Sequence, residues 1–317
     1  MNLKYKAILK DNYNIEANAI QQIEGGWSAL GYITTTTDGH KYLLKVYERS
    51  RASTSALTAS IEKYMPIVEW LSNNMSLTDK IIKPLRTLQN GFKCEDDRSI
   101  YLLSSYIEGE NLIGKELSNN QVKDLAQIIA ELHSYREDIP IDFSPLKEDF
   151  SVEFTNQIRE CLGSTTKLKP ALQDLLELYK KDIYTSIQAI EELSTKLRYS
   201  NIKMCLCHTD IHKGNILLND KGLILIDWEG LKLAPPEADF FDIVQREWSK
   251  IFFDEYKSKH PNFKIDLETL KFYQLRRILV DIWEFIQQIQ YDEQSEEDFQ
   301  LSLSYLEKEC QSLCNSV

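Results

Sequence analysis

The sequence predicts an α+β protein in two lobes, a small antiparallel sheet followed by a mainly helical remainder. Three observations carry that reading. Short β-branched and aromatic runs broken by glycine turns crowd the first hundred residues. From about residue 118 onward, apolar residues recur at helical spacing. Set among those helices, residues 203–230, KMCLCHTDIHKGNILLNDKGLILIDWEG, return to strand, polar loop, hairpin, strand and acidic turn. The lobe boundary is placed at 107/108, giving 1–107 and 108–317.

The chain has 317 residues, enough for two lobes with cores of their own. Its hydrophobic share of 43% and charged share of 27% are those of an ordinary globular protein. No run approaches the ~18 apolar residues that span a bilayer. The start, MNLKYKAILKDNYN, is interrupted by Lys4, Lys6, Lys10 and Asp11 and has no apolar signal core, so a cytoplasmic location is expected. A net charge of −12 argues against nucleic acid or an anionic membrane as the main partner and suits a cationic small molecule. The six cysteines form no dense framework and read as reduced thiols. A strand pattern accounts for Cys205 and Cys207, and helical spacing accounts for Cys310 and Cys314, so neither pair calls for a metal.

Residues 3–12 read as a lead helix. Ala19–Gly26 is a strand entering a glycine turn, Tyr32–Thr37 a second strand, Asp38-Gly39 a hairpin signal, and His40–Tyr47 the returning strand with Lys45 on it. Backbone amides at Gly26 can approach phosphate oxygens closely because no side chain intervenes, with Ser28 as a second candidate contact. Lys45 would bring a point positive charge to the same phosphates. A helical stretch from about Ser53 to Ser72 carries Glu62 and Glu69, and Pro66 is expected to kink or break it. Ile81–Leu88 and Ser99–Ile107 read as two further strands around an Asn90-Gly91 turn. Ser118-Asn119-Asn120-Gln121 is a capping box opening a helix with Val122, Leu125, Ala126, Ile129 and Leu132 on its apolar face, and His133 closes it as a helix-end histidine. Residues 168–198 are helical with a break near Lys181. Helices fill 238–256, 266–290 and 296–314.

Within 203–230, His208, Asp210, His212, Asn215 and Asp227 are concentrated beyond what a core needs. Two carboxylates and an amide on adjacent loops suit a hard cation such as Mg²⁺, and one carboxylate can instead serve as a base.

The order His208-x-Asp210-x-His212-x-Gly214-Asn215, then Asp227-Trp228-Glu229, resembles the catalytic loop of the protein-kinase-like superfamily. The form is similar to the aminoglycoside phosphotransferase and choline kinase branch, and closest in motif to the spectinomycin phosphotransferase type. The resemblance implies a bilobal protein-kinase-like fold and an Mg²⁺-dependent small-molecule kinase using ATP or GTP. It implies Asp210 as base, His208 as brace of the loop, and Asn215 and Asp227 as metal ligands. His212 and Lys213 lie between base and metal ligand, and one of them is placed to touch the transferring phosphate. It implies that Lys45 pairs with Glu62 on the following helix, with Glu69 as fallback. It implies that the Ser105 carbonyl and Ile107 amide hold the nucleobase. Asp239, in Ala234-Pro-Pro-Glu-Ala-Asp239, is expected to cap a helix and hold the catalytic loop. The acceptor implied is a hydroxyl of an aminoglycoside or aminocyclitol. Choline, ethanolamine or homoserine are the alternative acceptors, and a nucleotide-binding pseudokinase is the alternative without turnover. The departure from Asp-Phe-Gly and the lack of an ordered activation segment speak against a protein kinase.

Overall fold

The computed structural model describes residues 2–23, 29–73, 77–135, 139–163 and 167–314. The element order is α1 (Asn2–Tyr13), β1 (Ala17–Ile23), β2 (Leu30–Thr36), β3 (Lys41–Glu48), α2 (Thr54–Thr58), α3 (Ile61–Asn73), β4 (Lys93–Glu95), β5 (Ser99–Ser105), β6 (Glu110–Asn111), α4 (Asn119–Leu132), α5 (Phe154–Gly163), α6 (Pro170–Arg198), β7 (Cys205–Cys207), β8 (Ile216–Asn219), β9 (Gly222–Leu225), β10 (Lys232–Ala234), α7 (Glu237–Phe240), α8 (Ser249–Lys259), α9 (Leu267–Tyr291) and α10 (Glu296–Cys314).

The chain groups into two compact units. The first comprises Met1–Ser50, Thr54–Lys147 and Cys205–Phe263, and the second Arg51–Ser53, Glu148–Met204 and Lys264–Val317. This grouping follows packing instead of chain order, because the β7–β10 region joins the first unit with the N-terminal sheet.

In the first unit an antiparallel sheet runs β1-β2-β3-β5-β4. Strand periodicity sorts the two faces of β3. Leu44 and Val46 point into a core with Leu9, Tyr5 and Tyr13 of α1 and with Tyr32, Tyr101 and Leu103 of the sheet. Lys45 and Tyr47, offset by one residue, share the opposite face. The β2–β3 turn uses Gly39 at φ 88°, as Asp38-Gly39 predicts. Two small sheets complete the unit, β6-β8-β9 and β10-β7. The β8–β9 hairpin pairs Asn219 with Gly222 across a two-residue turn, with Gly222 at φ 108°.

The capping box at Ser118 is present in full. Its hydroxyl accepts from the Gln121 amide, and the Gln121 side chain accepts from the Ser118 amide. The predicted apolar face of α4 is buried.

Three expectations are corrected. Pro66 sits inside α3 without ending it, and the break falls earlier, between α2 and α3. The apolar face of α3, Ile61, Tyr64, Met65, Ile67, Val68 and Leu71, is buried continuously through the proline. Ile81–Leu88 forms no strand, only isolated bridges. Ile81 pairs with Leu225 and Pro84 with Ser104, so the segment changes partners around a proline that has no amide to donate. Residues Pro170–Arg198 are one continuous helix, unbroken at Lys181.

The second unit packs α5, α6, α9 and α10 around Ile183, Ile187, Ile190, Ile282, Ile286, Ile289, Leu306 and Leu313. Its buried Glu148 is paired with Arg276 at 2.6 Å. Among the described residues no helix is long and apolar enough to cross a membrane.

Leu9 is fully buried against the strand that carries Lys45. Leu9→Ala is expected to cost about 2–5 kcal/mol through lost transfer energy and the residual cavity. A urea midpoint equal to that of the parent chain would contradict the docking of α1.

Candidate active site

The site lies within the first unit, where β7 ends and the chain turns through 208–215. Thr209 takes φ 67°, a left-handed conformation that a β-branched residue adopts only when its surroundings impose it. The carboxylate of Asp239 supplies that constraint. Its Oδ2 accepts from the His208 amide at 3.1 Å and its Oδ1 from the Thr209 amide at 2.5 Å. The Thr209 hydroxyl donates to the Gly230 carbonyl at 2.7 Å. A Cβ on Gly230 would stand 2.4 Å from that hydroxyl and 2.9 Å from the His208 carbonyl, so the approach requires glycine. Asp239 therefore holds the loop, as expected. It does not cap α7, whose N-cap position is Pro236.

His208 is fully buried. Its Nδ1 accepts from the Asp210 amide at 3.3 Å, so the proton sits on Nε2, which donates to the Ile226 carbonyl at 2.8 Å. The imidazole thus links the start of the loop to the residue before Asp227. The Ile226 amide in turn donates to the Asn215 carbonyl at 3.0 Å.

Asp210 and Asn215 meet. The Asn215 amide nitrogen donates to the Asp210 carboxylate at 2.8 Å and to its main-chain carbonyl at 2.9 Å. His212 Nδ1 accepts from the Gly214 amide at 3.0 Å, and its Nε2 lies 3.6 Å from the Asp210 carboxylate. Lys213 is drawn away to Glu116, at 2.5 Å.

Lys45 is bound to Asp227 at 2.5 Å and to Glu229 at 2.7 Å. The Tyr47 hydroxyl donates to the same Glu229 oxygen at 2.5 Å. Burial works against the charge on Lys45, but the Glu229 and Asp227 carboxylates outweigh it and hold the ammonium above its ordinary range. For Glu229, burial opposes ionisation while Lys45 and Tyr47 favour it, and the balance lowers its pKa. Asp227 itself sits at φ 62°, ψ 70°, a second left-handed residue at the site.

Glu62 does not pair with Lys45. Its Oε1 accepts from the amides of Phe92 at 2.9 Å and Lys93 at 3.2 Å. Nor does Glu69, which binds Arg86 in a bidentate pair. The helix glutamates are spent on neighbouring loop and strand, and Glu229 takes the lysine. Sequence reasoning passed over Glu229 and Tyr47. For Tyr47 the available signal was the strand period of two that places it on the Lys45 face of β3, whereas Glu229 stands in a short helical turn after Asp227, where that period does not apply.

Ser105 ends β5 opposite Tyr42, with its amide donated to Lys83 at 2.9 Å, and the Tyr106 amide donates to Lys41 at 3.2 Å. Ile107 follows, partly buried. Gly26 and Ser28 lie outside the described residues.

Asn215 spends its amide nitrogen on Asp210 and keeps a side-chain oxygen, and Asp227 presents a carboxylate, oxygen donors of the kind that could hold a hard divalent cation.

Glu62→Ala is expected to lower stability by about 1–2 kcal/mol through the two lost amide bonds while leaving the KM for nucleotide unchanged. A tenfold rise in that KM would instead tie Glu62 to the lysine.

The family model described as the phosphotransferase enzyme family matches residues 19–272. A search of curated proteins finds no match. Among solved structures the chain is similar to spectinomycin phosphotransferase APH(9)-Ia in complex with ADP and spectinomycin, with 21% identity, 99% of this chain and 98% of that chain covered, and a TM-score of 0.74. It is similar to amicoumacin kinase hAmiN, with 16% identity, 98% and 92% coverage and a TM-score of 0.62. It is similar to aminoglycoside phosphotransferase APH(2'')-Ib in its ADP-bound form, with 18% identity, 98% and 97% coverage and a TM-score of 0.53. The α+β fold with an antiparallel N-terminal sheet is that of these structures, and by the match over residues 19–272 this chain belongs to the phosphotransferase enzyme family.

Proposed function

We propose that this chain transfers the γ-phosphate of a nucleoside triphosphate to a hydroxyl of an aminoglycoside or aminocyclitol. The observation that carries the reading is the convergence of Lys45, from the N-terminal sheet, on Asp227 and Glu229, beside a loop where Asn215 holds Asp210. Phosphoryl transfer needs positioning and charge neutralisation more than covalent chemistry, and these residues supply both.

Asp210 accepts or orients the proton of the acceptor hydroxyl. Asn215, bonded to both its carboxylate and its carbonyl, fixes that carboxylate's direction. The Nε2 of His212 lies 3.6 Å from the same carboxylate. Lys45 meets the donor phosphates, and Glu229 and Tyr47 set its height above β3. His208 and Asp239 keep the loop in its left-handed turn. Asn215 and Asp227 would hold Mg²⁺, which supplies charge neutralisation at the transferring phosphate when bound. Ser105 and Ile107 contribute main-chain groups to the nucleobase, and Gly26 and Ser28 contribute to the phosphates. The nucleotide belongs to 1–107 and the acceptor to 108–317 in this scheme. The net charge of −12 favours a polycationic acceptor.

The test is nucleotide diphosphate release with ATP or GTP against spectinomycin, aminoglycosides, choline, ethanolamine and homoserine. Stimulation by an aminoglycoside or aminocyclitol is expected, and turnover of choline or homoserine alone would overturn the acceptor class. Asp210→Ala is expected to lower kcat roughly 10²–10⁴-fold with nucleotide affinity nearly intact. Unchanged turnover in that variant would remove Asp210 from the chemistry.

A further inference from the structure

Beneath the catalytic loop lies a second cluster of chemically capable groups that phosphoryl transfer does not use. Cys205 and Cys207 alternate along β7 and so present their sulfurs on one face, 3.6 Å apart. His133 follows the last residue of α4, and a ring nitrogen of it lies with both sulfurs inside a group of ligand atoms no more than 4.8 Å from one another. All three side chains are buried. His133 is the C-cap of α4, as its sequence position suggests, but its ring is buried and bonded instead of solvated at a helix end. Its Nδ1 contacts the Tyr256 hydroxyl at 2.9 Å and its Nε2 the Asp239 carboxylate at 2.9 Å.

We infer that His133, Cys205 and Cys207 form a binding site for one thiophilic d¹⁰ cation such as Zn²⁺, Cd²⁺ or Cu⁺. The sulfur pair already has the required bite, since two sulfurs ~2.3 Å from a tetrahedral ion stand about 3.8 Å apart. A d¹⁰ ion brings no d-electron preference for one geometry. The sulfurs give up little to bind. Their other contacts are weak ones to the carbonyls of Ala234, Pro235 and Cys205, between 3.4 and 3.7 Å. Binding displaces the protons held by the two sulfurs and by the ligating ring nitrogen, which pass to solvent, and leaves both sulfurs as thiolates and the histidine neutral. The ion exchanges one ring contact of His133 and leaves the other in place. Where Nδ1 binds, the Asp239 carboxylate remains on Nε2 as the outer partner that orients a ligating histidine. The same carboxylate holds the His208 and Thr209 amides, so loading of this site is linked to the rigidity of the catalytic loop.

Two readouts on the intact chain test this, with Cd²⁺ as probe. Titration is expected to give one equivalent of a thiolate-to-cadmium charge-transfer band and a rise in the unfolding midpoint by mass action. Both should persist in a Cys161→Ser, Cys314→Ser variant and vanish in Cys205→Ser and in Cys207→Ser. X-ray absorption of the loaded parent chain, which depends on no variant folding, should show two sulfurs and one nitrogen around the ion. A first shell of oxygen and nitrogen alone, or a band that survives both Cys205→Ser and Cys207→Ser, would overturn the site.

Discussion

The arrangement depends on where one ammonium finds its counter-charges. Lys45 leaves the sheet on the face opposite the α1 core and is held by two carboxylates that the chain delivers more than 180 residues later. A charge removed from water needs partners, and without them the lysine would lose its proton or turn outward. Because both partners stand on the turn after β9, the lysine fastens the N-terminal sheet to the acidic turn. Tyr47, on the same strand face, bonds the shared oxygen of Glu229 and narrows the positions open to it.

A second polar centre holds the other half of the site. Asp239 satisfies two loop amides and an imidazole, and this is what makes a left-handed threonine tolerable immediately before Asp210. Burial lowers the pKa of His133, but the Cys205 and Asp239 groups around it reverse the sign and raise it to about 10. Such networks are costly when half satisfied and rigid when complete. The two left-handed non-glycine residues at the site, Thr209 and Asp227, fall where strain is held in place by converging hydrogen bonds.

Much of this was legible in the sequence because it is local. The β2–β3 and β8–β9 turns, the capping box at Ser118 and the apolar face of α4 follow from residue chemistry within a few positions. The motif placed Asp210 beside Asn215 and pointed to Asp239 as the loop's holder. What failed to show is long-range choice among equivalent groups. Glu62, Glu69 and Glu229 are chemically alike, and only the fold reveals that Phe92, Lys93 and Arg86 claim the first two. His133 does close α4, but its buried ring contacts did not show because its partners, Tyr256 and Asp239, are more than a hundred residues away. Ile81–Leu88 read as a strand because its composition is strand-like, while its proline and its change of partners prevent a ladder.

The most direct test of this account is a double-mutant cycle between Lys45→Met and Glu229→Gln, read as nucleotide affinity in the presence of Mg²⁺. If Glu229 acts by holding Lys45, each change weakens binding and the pair falls short of the sum, with a coupling on the order of 0.5–3 kcal/mol. Additive losses within about 0.3 kcal/mol would contradict it, because the lysine would then owe its position to some other group.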